Sequence, residues 1–302
     1  MPLDRPPAPT RLPREEWRTR RAAHEARVDV WLEPHLERRR RGEKHPVMDF
    51  LFDYYAHRPA QLRTWAPGWD VALEWDHSVD GPVPKHHVLV DGWCVVDPGL
   101  LGRREVLVTT LRRLLAATAS RPAQLGCLGL HEWAMVYRTL PGQQRHEAWP
   151  LRLGHDGTDE VVESHQLTCT HFDAFRFFTE PAVPRNRHLP RAEDREAYEQ
   201  PGCLHAGMDL YKHAFRLWPL VSSDLVADCF ELAREIRVLD MEASPYDLAD
   251  LGHSPVRIET PEGKRAYVER QRDLSERGAP LRRRLLDACR MLESQSASRA
   301  RA

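Results

Sequence analysis

Two histidines and an aspartate are spaced for one helix face in the stretch CLHAGMDLYKHAFRLW, residues 203–218. If this stretch is helical, His205, Asp209 and His213 stand at positions i, i+4 and i+8, so their side chains project from nearly the same face. Two imidazoles and one carboxylate suit iron, zinc or manganese. The spacing therefore indicates a metal site. The alternative is a solvated face on which Asp209 pairs with Lys212 or with a histidine.

A second histidine and aspartate pair occurs in THFDAF, residues 170–175. His171 and Asp173 form an H-x-D dyad of the kind found in the two-histidine, one-carboxylate sites of non-haem iron enzymes. His205 or His213 would then be the distal third ligand. Because the chain has 16 histidines, such a dyad also arises by chance. It adds His171 to the candidate metal ligands without fixing one site.

Carboxylates recur at steps of four, three and four in SSDLVADCFELAREIRVLDMEASPYDL, residues 222–248. They are Asp224, Asp228, Glu231 and Glu235. Like charges four positions apart destabilise a helix slightly unless cations face them. Arginines or a metal ion would supply those cations, and Glu231 is therefore a further candidate metal ligand. A solvated face is the alternative, because an apolar stripe is complete beside the carboxylates.

The stretch LHEWAMVYR, residues 130–138, carries an aromatic pair next to a histidine and a glutamate. Trp133 and Tyr137 share a helix face at i and i+4, with His131 and Glu132 beside them. Such a pair stacks on a planar ring in enzymes that act on extruded bases. The alternative is that both rings belong to the core.

The composition is that of a globular protein, with 302 residues, 41% of them hydrophobic and 29% charged, and a net charge of −1. No apolar run reaches the roughly 18 residues of a membrane helix, and the N-terminus lacks the apolar core of a secretory signal. These features predict a cytoplasmic protein without a membrane partner. The six cysteines include no CxxC pair, which indicates free thiols. GxGxxG, P-loop, GxSxG and HExxH motifs are absent, so nucleotide cofactors, serine hydrolases and zincins have no support.

The element pattern predicts an α+β fold, a mostly helical single domain with a small antiparallel sheet in the first half. Residues 13–293 are expected to form this domain. Residues 1–12 are expected to be a disordered lead-in, and residues 294–302 a disordered tail. The sequence favours no particular oligomeric state.

Within the domain, residues 13–41 are expected to form one helix, and Asp91-Gly92 is expected to join two strands as a hairpin. A second pair of strands is expected at 149–153 and 160–169.

In the second half of the chain, Ser222 or Ser223 is expected to cap a helix, and a break between helices is expected at Pro280. Residues 180–202 are rich in proline and charge and are expected to form a long loop. Long loops in compact domains are usually functional or disordered.

Four stretches are similar to a bacterial family commonly labelled 3-methyladenine DNA glycosylase, namely HPVMDFLFDYYAHRP, THFDAFRFF, QPGCLHAGMDLYKHAFRL and DCFELAREIRVLDMEASPYDL. The resemblance covers residues 15–290. It does not include the glycine-rich hairpin and catalytic aspartate of the helix-hairpin-helix glycosylases. It implies a DNA repair hydrolase that needs no cofactor and removes alkylated adenine from damaged DNA by base excision.

Under this resemblance Asp173 or Asp209 is the expected catalytic carboxylate, which stabilises an oxocarbenium-like sugar or activates water. The residues 38–41, all arginines, would contact phosphates, or would simply form a solvated helix end. The expected substrate-binding aromatic residues are Trp133, Tyr137, Phe172 and Tyr211.

Two other functions remain open from the residues. The first is a metal-dependent enzyme, with non-haem iron or zinc and a small-molecule substrate. Its ligands would be His205, Asp209 and His213, with His171, Asp173 or Glu231 as further donors. The second is a helical binding protein without catalysis.

Overall fold

The computed structural model describes residues 9–142 and 148–299 of the chain. Helices make up most of it, and four short strands form a sheet in the first third, which confirms the predicted α+β class. No helix in these ranges has an apolar stretch long enough to cross a membrane. In chain order the α-helices are α1 (Arg14–Arg41), α2 (Phe50–Tyr54), α3 (Pro59–Arg63), α4 (His77–Asp80), α5 (Pro98–Arg103), α6 (Glu105–Ala119), α7 (Leu130–Ala134), α8 (Gly154–Glu163), α9 (Phe172–Phe175), α10 (Arg195–Tyr198), α11 (Leu204–Leu217), α12 (Ser223–Glu242) and α13 (Pro261–Arg299).

The sheet has the strand order β1-β2-β4-β3. Strands β3 and β4 form the predicted hairpin, in which Asp91 and Gly92 have φ angles of 49° and 79°, as a type I′ turn requires. Strand β4 also pairs antiparallel with β2, as predicted, whereas β1 joins β2 in parallel. The strands are β1 (Thr10–Leu12), β2 (Val71–Glu74), β3 (His87–Val90) and β4 (Trp93–Val96).

Strand β1 corrects the expectation of a disordered lead-in over residues 1–12. Its residues pair with β2, and Leu12 is buried together with Leu73 in one small cluster. The pairing joins segments far apart in the sequence, so no local pattern signals it. Residues 1–8 of the expected lead-in lie outside the described residues.

Helix α1 connects the sheet to the helical part of the molecule. The ring of Trp17 stacks on Trp75 with centroids 5.3 Å apart, and Nε1 of Trp17 donates to the carbonyl of Glu74 at 2.9 Å. The helix ends at Gly42, whose φ of 70° closes its last turn. The expected long helix over 13–41 is therefore confirmed.

Residues 149–169 do not form the expected pair of strands. Residues 154–163 form α8, while Leu151 and Leu167 make isolated β-bridges. Val161 and Val162 of α8 are buried with Thr158, a spacing of i, i+3 and i+4 that is typical of a helix and not of a strand.

The last helix, α13, continues through Pro280 and on to Arg299, unlike the expected break and the expected disordered tail. Its buried residues explain the difference, because Leu285, Cys289 and Leu292 pack into the main core. Burial of this face stabilises the helix even though much of its sequence is charged. Residues 300–302 of the expected tail lie outside the described residues.

Helices α11 and α12 lie at the centre of the helical part. Ser222 caps α12 by accepting the N–H of Leu225 at 3.2 Å, which confirms the predicted cap. Gly207 of α11 lies so close to α12 that a Cβ would stand 2.6 Å from Cδ1 of Ile236. One hydrophobic cluster contains residues of α1, α6, α11, α12 and α13, so these helices enclose a common core.

Two glycines of α13 provide a test of this packing. A Cβ at Gly263 would lie 1.9 Å from the carbonyl oxygen of Arg257, whereas a Cβ at Gly278 would lie 3.5 Å from Leu232. Alanine favours helix by about 1 kcal/mol over glycine. We expect Gly278→Ala to stabilise the protein by up to about 1 kcal/mol, and Gly263→Ala to destabilise it by about 1–3 kcal/mol.

The measurement is the free energy of unfolding in denaturant for both variants and the wild type. Equal effects of the two substitutions would contradict the close approach of the 257–260 turn to α13.

Candidate metal centre

Two histidines and an aspartate meet where α7, α11 and α12 pack together. The ligand atoms of His131, His205 and Asp240 all lie within 4.8 Å of one another. His131 and Asp240 are buried, and His205 is half-buried. Within residues 9–142 and 148–299, this is the group of His, Cys, Asp or Glu donors that comes close enough to hold a metal ion.

Charged side chains hold this group in place. Nε2 of His131 lies 2.7 Å from Oδ1 of Asp240, and Arg237 donates to Oδ2 of Asp240 at 2.8 Å and to Glu132 at 2.9 Å. Burial opposes ionisation of Asp240, but the charge of His131 outweighs it and holds the pKa of Asp240 below its ordinary range. Burial also opposes protonation of His131, yet Asp240 raises the pKa of His131 well above its ordinary value. The two side chains therefore form an ion pair.

His205 differs from His131 although the two rings touch. Their centroids are 4.5 Å apart in an edge-to-face arrangement. Burial, together with the positive charge of His131, lowers the pKa of His205 well below its ordinary value. His205 is consequently neutral, which is the state in which an imidazole binds a metal.

A close backbone contact places α7 against the end of α12. Gly129 precedes α7 with a φ of 72°, and a Cβ at this position would lie 3.2 Å from Cβ of Ala243. Nε1 of Trp133 donates to the carbonyl of Ala243 at 2.8 Å. These two contacts fix the first turn of α7 so that His131 faces Asp240.

A second buried polar cluster surrounds Asp209 on α11. Its carboxylate accepts from Tyr55 at 3.1 Å, from Arg195 at 2.8 Å and from Lys212 at 3.3 Å. Nε2 of His171 lies 3.4 Å from the same carboxylate. Burial opposes ionisation of Asp209, but His171 and the neighbouring cations outweigh it, so the pKa of Asp209 lies well below its ordinary value.

His171 connects the two clusters. Its ring is fully buried, and its Nδ1 has no hydrogen-bond partner among residues 9–142 and 148–299. Nε2 of His171 is 3.5 Å from Glu199, and the ring centroid is 5.4 Å from that of His205. His171 thus lies against the carboxylates of Glu199 and Asp209 on one side and against His205 of the metal candidate on the other.

The segment 180–202, expected as a loop, contains short helical turns and α10. It delivers two charged residues to the second cluster. Arg195 donates to Glu199 at 2.5 Å and to Asp209 at 2.8 Å. The segment is therefore held in place by polar contacts, and a function for it stays a prediction.

Small cavities border His205 on two sides. Each offers about 10 Å³ of free space, close to the least that one water molecule needs. One of them is lined by Glu132, Asp173 and Arg237 on its polar side. Its apolar side consists of Phe50, Tyr54, Met135 and Phe177.

The predicted metal ligands are only partly brought together. Of the predicted set, His205 alone belongs to the group with His131 and Asp240. His213 is buried on α11, where burial lowers its pKa to about 3, and its Nδ1 has no hydrogen-bond partner among the described residues. Glu231 accepts from Arg27 at 2.6 Å at the surface, away from the site.

Asp173 of the predicted H-x-D dyad accepts from Lys212 at 2.7 Å and lies 3.4 Å from Arg176. The structure thus joins Asp173 to Asp209 through Lys212, and it joins Asp209 to His171. The carboxylate stripe on α12 faces arginines, because Asp228 pairs with Arg27 and Arg284 and Glu235 pairs with Arg277. Arginines thus neutralise Asp228, Glu231 and Glu235 of that stripe.

Three of the four predicted stacking residues are core residues. Trp133, Tyr137 and Tyr211 are buried, and their polar atoms bond within the protein. Phe172 is half-buried. Of the arginines at 38–41, Arg38 pairs with Asp49, and positions 40 and 41 pair with Glu37.

Sequence reasoning missed His131 and Asp240 as candidate ligands. In the sequence, His131 is a candidate only as a neighbour of the aromatic pair Trp133 and Tyr137. Asp240 is only one residue of a predicted helix. The two residues are 109 positions apart, and no local spacing links them. Arg237 gives a weak signal, since an arginine among the apolar positions of α12 requires a buried carboxylate partner.

Comparison with protein-family models, with curated proteins and with solved structures finds no match for this chain.

The second cluster predicts a pH-dependent contribution to stability. Replacing Asp209 by Asn leaves Arg195 and Lys212 without their shared buried carboxylate, which typically costs about 3–5 kcal/mol. Because the folded-state pKa of Asp209 is lowered, its contribution is complete above the unfolded-state pKa of about 3.9 and is lost as the pH falls through the folded-state value. We expect Asp209→Asn to be strongly destabilising at pH 7 and less so below pH 4.

Unfolding in denaturant at both pH values measures this effect. Asp228→Asn is the control, because Asp228 is a partly exposed carboxylate that also pairs with two arginines. We expect it to cost no more than about 1 kcal/mol. A similar loss in both variants would mean that the Asp209 cluster is not specially stabilising.

Proposed function

We propose that this protein is a metal-dependent enzyme that acts on a small molecule and holds its metal ion through His131, His205 and Asp240. The convergence of these three donors from three helices within 4.8 Å carries the proposal. Two imidazoles and one carboxylate leave coordination positions open for a substrate, and this donor set suits iron, zinc or manganese.

The donors fit such an ion with small movements. Metal–ligand bonds of about 2.0–2.2 Å place two ligand atoms no more than about 4.4 Å apart. The present span of 4.8 Å would have to shrink slightly, and the 2.7 Å contact between His131 and Asp240 would have to open. A bound ion would supply Lewis-acid chemistry or, if it is iron, redox chemistry.

Residues next to the three donors would orient the ligands and the substrate in this arrangement. Arg237 orients Asp240 and is itself held by Glu132, as expected of partners that surround a metal site. Asp173 lines the cavity beside His205. Burial opposes its ionisation, but Lys212 outweighs this and lowers the pKa of Asp173, which keeps a carboxylate at the cavity. Asp173 is therefore placed to orient a substrate or accept its proton.

The cavity limits the substrate. Its free space beside His205 is close to that of one water molecule, so the substrate must be small or the aromatic wall must move. Phe50 and Tyr54 of α2 form part of that wall and are half-buried. They exclude water from the donors and present an apolar face to a substrate.

Base excision, which the family resemblance implies, is the second proposed function. Its support in the structure is that Asp173 and Asp209, the two expected catalytic carboxylates, share Lys212 at 2.7 and 3.3 Å. The burial of Trp133 and Tyr211 weighs against it, because a flipped base would need other aromatic faces.

Metal analysis tests the first proposal. We expect the purified wild type to hold iron or zinc, or to bind either stoichiometrically when loaded. We expect His205→Ala to lose that ion, with a reduction in affinity beyond the roughly 10- to 100-fold typical of residues outside the ligand shell. His213→Ala is the matched control, since it removes a buried histidine of the same helix.

Circular dichroism would establish that both variants fold. A wild type that purifies without metal and cannot be loaded would end the metal proposal. Retention of the ion by folded His205→Ala would end the assignment of this ligand.

A release assay separates the two proposed functions. We expect the protein to release no free methylated adenine from alkylated duplex DNA, with or without a chelator, because the metal enzyme acts on a small molecule. Release that survives the chelator and disappears in Asp173→Asn would instead support base excision and make the three metal donors structural.

A further inference from the structure

Cys127 differs from the other cysteines of the chain in exposure and in contacts. Five of the six cysteines are buried, whereas Cys127 is half-buried. Its Sγ lies 3.5 Å from Nδ1 of His131, the ring nitrogen opposite the one that faces Asp240. The most accessible thiol of the chain thus touches a residue that holds the proposed metal ion.

The thiol borders the second small cavity next to His205. This cavity is also lined by His131 and Gln271 and has about 10 Å³ of free space. Gln271 is 1% exposed, and its Oε1 has no hydrogen-bond partner in the part of the chain that the structure describes, while its Nε2 donates to the carbonyl of Gly202 at 2.7 Å. A buried acceptor without a donor indicates that the cavity is suited to a further polar group.

The contact with Cys127 orients His131. When an imidazole binds a metal through one nitrogen, the other nitrogen carries a proton and donates it to a neighbour, which fixes the ring. For His131 bound through Nε2, the neighbour of Nδ1 is the sulfur of Cys127. Cys127 is therefore a positioning residue of the proposed site.

We propose that Cys127 is a modification site at which a small-molecule disulfide forms a mixed disulfide, and that this modification weakens metal binding. In this exchange the Cys127 sulfur forms a bond to one sulfur of the small disulfide. The old sulfur–sulfur bond breaks, and the other half leaves as a thiol that carries the proton from Cys127. Formation of the mixed disulfide depends on Cys127 alone, whereas its effect on metal binding rests on the proposed function.

The limited space of the cavity links formation of the mixed disulfide to the loss of metal binding. An adduct larger than a water molecule does not fit beside His131. Either the ring of His131 is displaced, or the Cys127 side chain rotates toward solvent and gives up its contact with Nδ1. Both outcomes remove the partner that orients the ring, which typically reduces metal affinity by about 10- to 100-fold.

The experiment uses full-length protein loaded with zinc, whose affinity is measured first with a competing chelating dye. The protein is then treated with oxidised glutathione, the adduct is located by peptide mass spectrometry, and the affinity is measured again before and after a reductant. Cys127→Ser keeps a small polar group next to His131 but cannot form the adduct. Cys203→Ser is the control, since it removes a buried thiol from the same cavity.

We expect one adduct on Cys127, a reversible 10- to 100-fold loss of zinc affinity in the wild type and in Cys203→Ser, and no loss in Cys127→Ser. An adduct on another cysteine, or an adduct on Cys127 with unchanged affinity, would overturn the inference. A protein that binds no zinc before treatment would overturn the metal proposal instead, and the prior affinity measurement tells these cases apart.

Discussion

The burial of Asp240 is the constraint on which the rest of the site depends. A carboxylate with no exposed surface requires charged partners, and both of its oxygens are taken, one by His131 and one by Arg237. Arg237 is in turn held by Glu132 and by the ring of Phe50, whose centroid lies 3.9 Å from the guanidinium carbon. Helices α2, α7 and α12 are thereby fixed relative to one another, so that a change in any partner affects all three.

Helix α11 carries a second buried carboxylate with charged partners, Asp209, one turn after His205. His205 faces the Asp240 cluster, and Asp209 faces Arg195 and Lys212. Helix α11 therefore contributes to both clusters. His171 lies between them, with its ring centroid 5.4 Å from that of His205 and its Nε2 3.4 Å from the carboxylate of Asp209. The charges lie in the interior, where hydrogen bonds are stronger and unpaired groups more costly than in water. This explains why even the segment 180–202 is fixed by its polar contacts.

Sequence alone predicted the features that neighbouring residues determine. The helix end at Gly42, the turn at Gly92 and the cap at Ser222 each depend on a few adjacent positions. The parallel strand β1 and the pairing of His131 with Asp240 depend on contacts between distant segments, and neither has a local signal. Spacing along α11 correctly indicated that His205, Asp209 and His213 lie on one helix, and a function for that face stays a prediction. It could not indicate which partners the neighbouring helices bring to each side chain, and so only His205 of the predicted ligands belongs to the group with His131 and Asp240.

The charges around Asp240 are already balanced, so His205 is the residue that distinguishes the proposed metal site from a purely structural ion pair. Asp240 and Glu132 share the single guanidinium of Arg237, and the proton of His131 balances the second carboxylate. A metal ion bound there would replace that proton, because ligation requires neutral imidazoles. An ion pair alone would be complete with His131 and Asp240. It would not require a neutral second imidazole, His205, within 4.8 Å of both, whereas a metal ion would use all three donors.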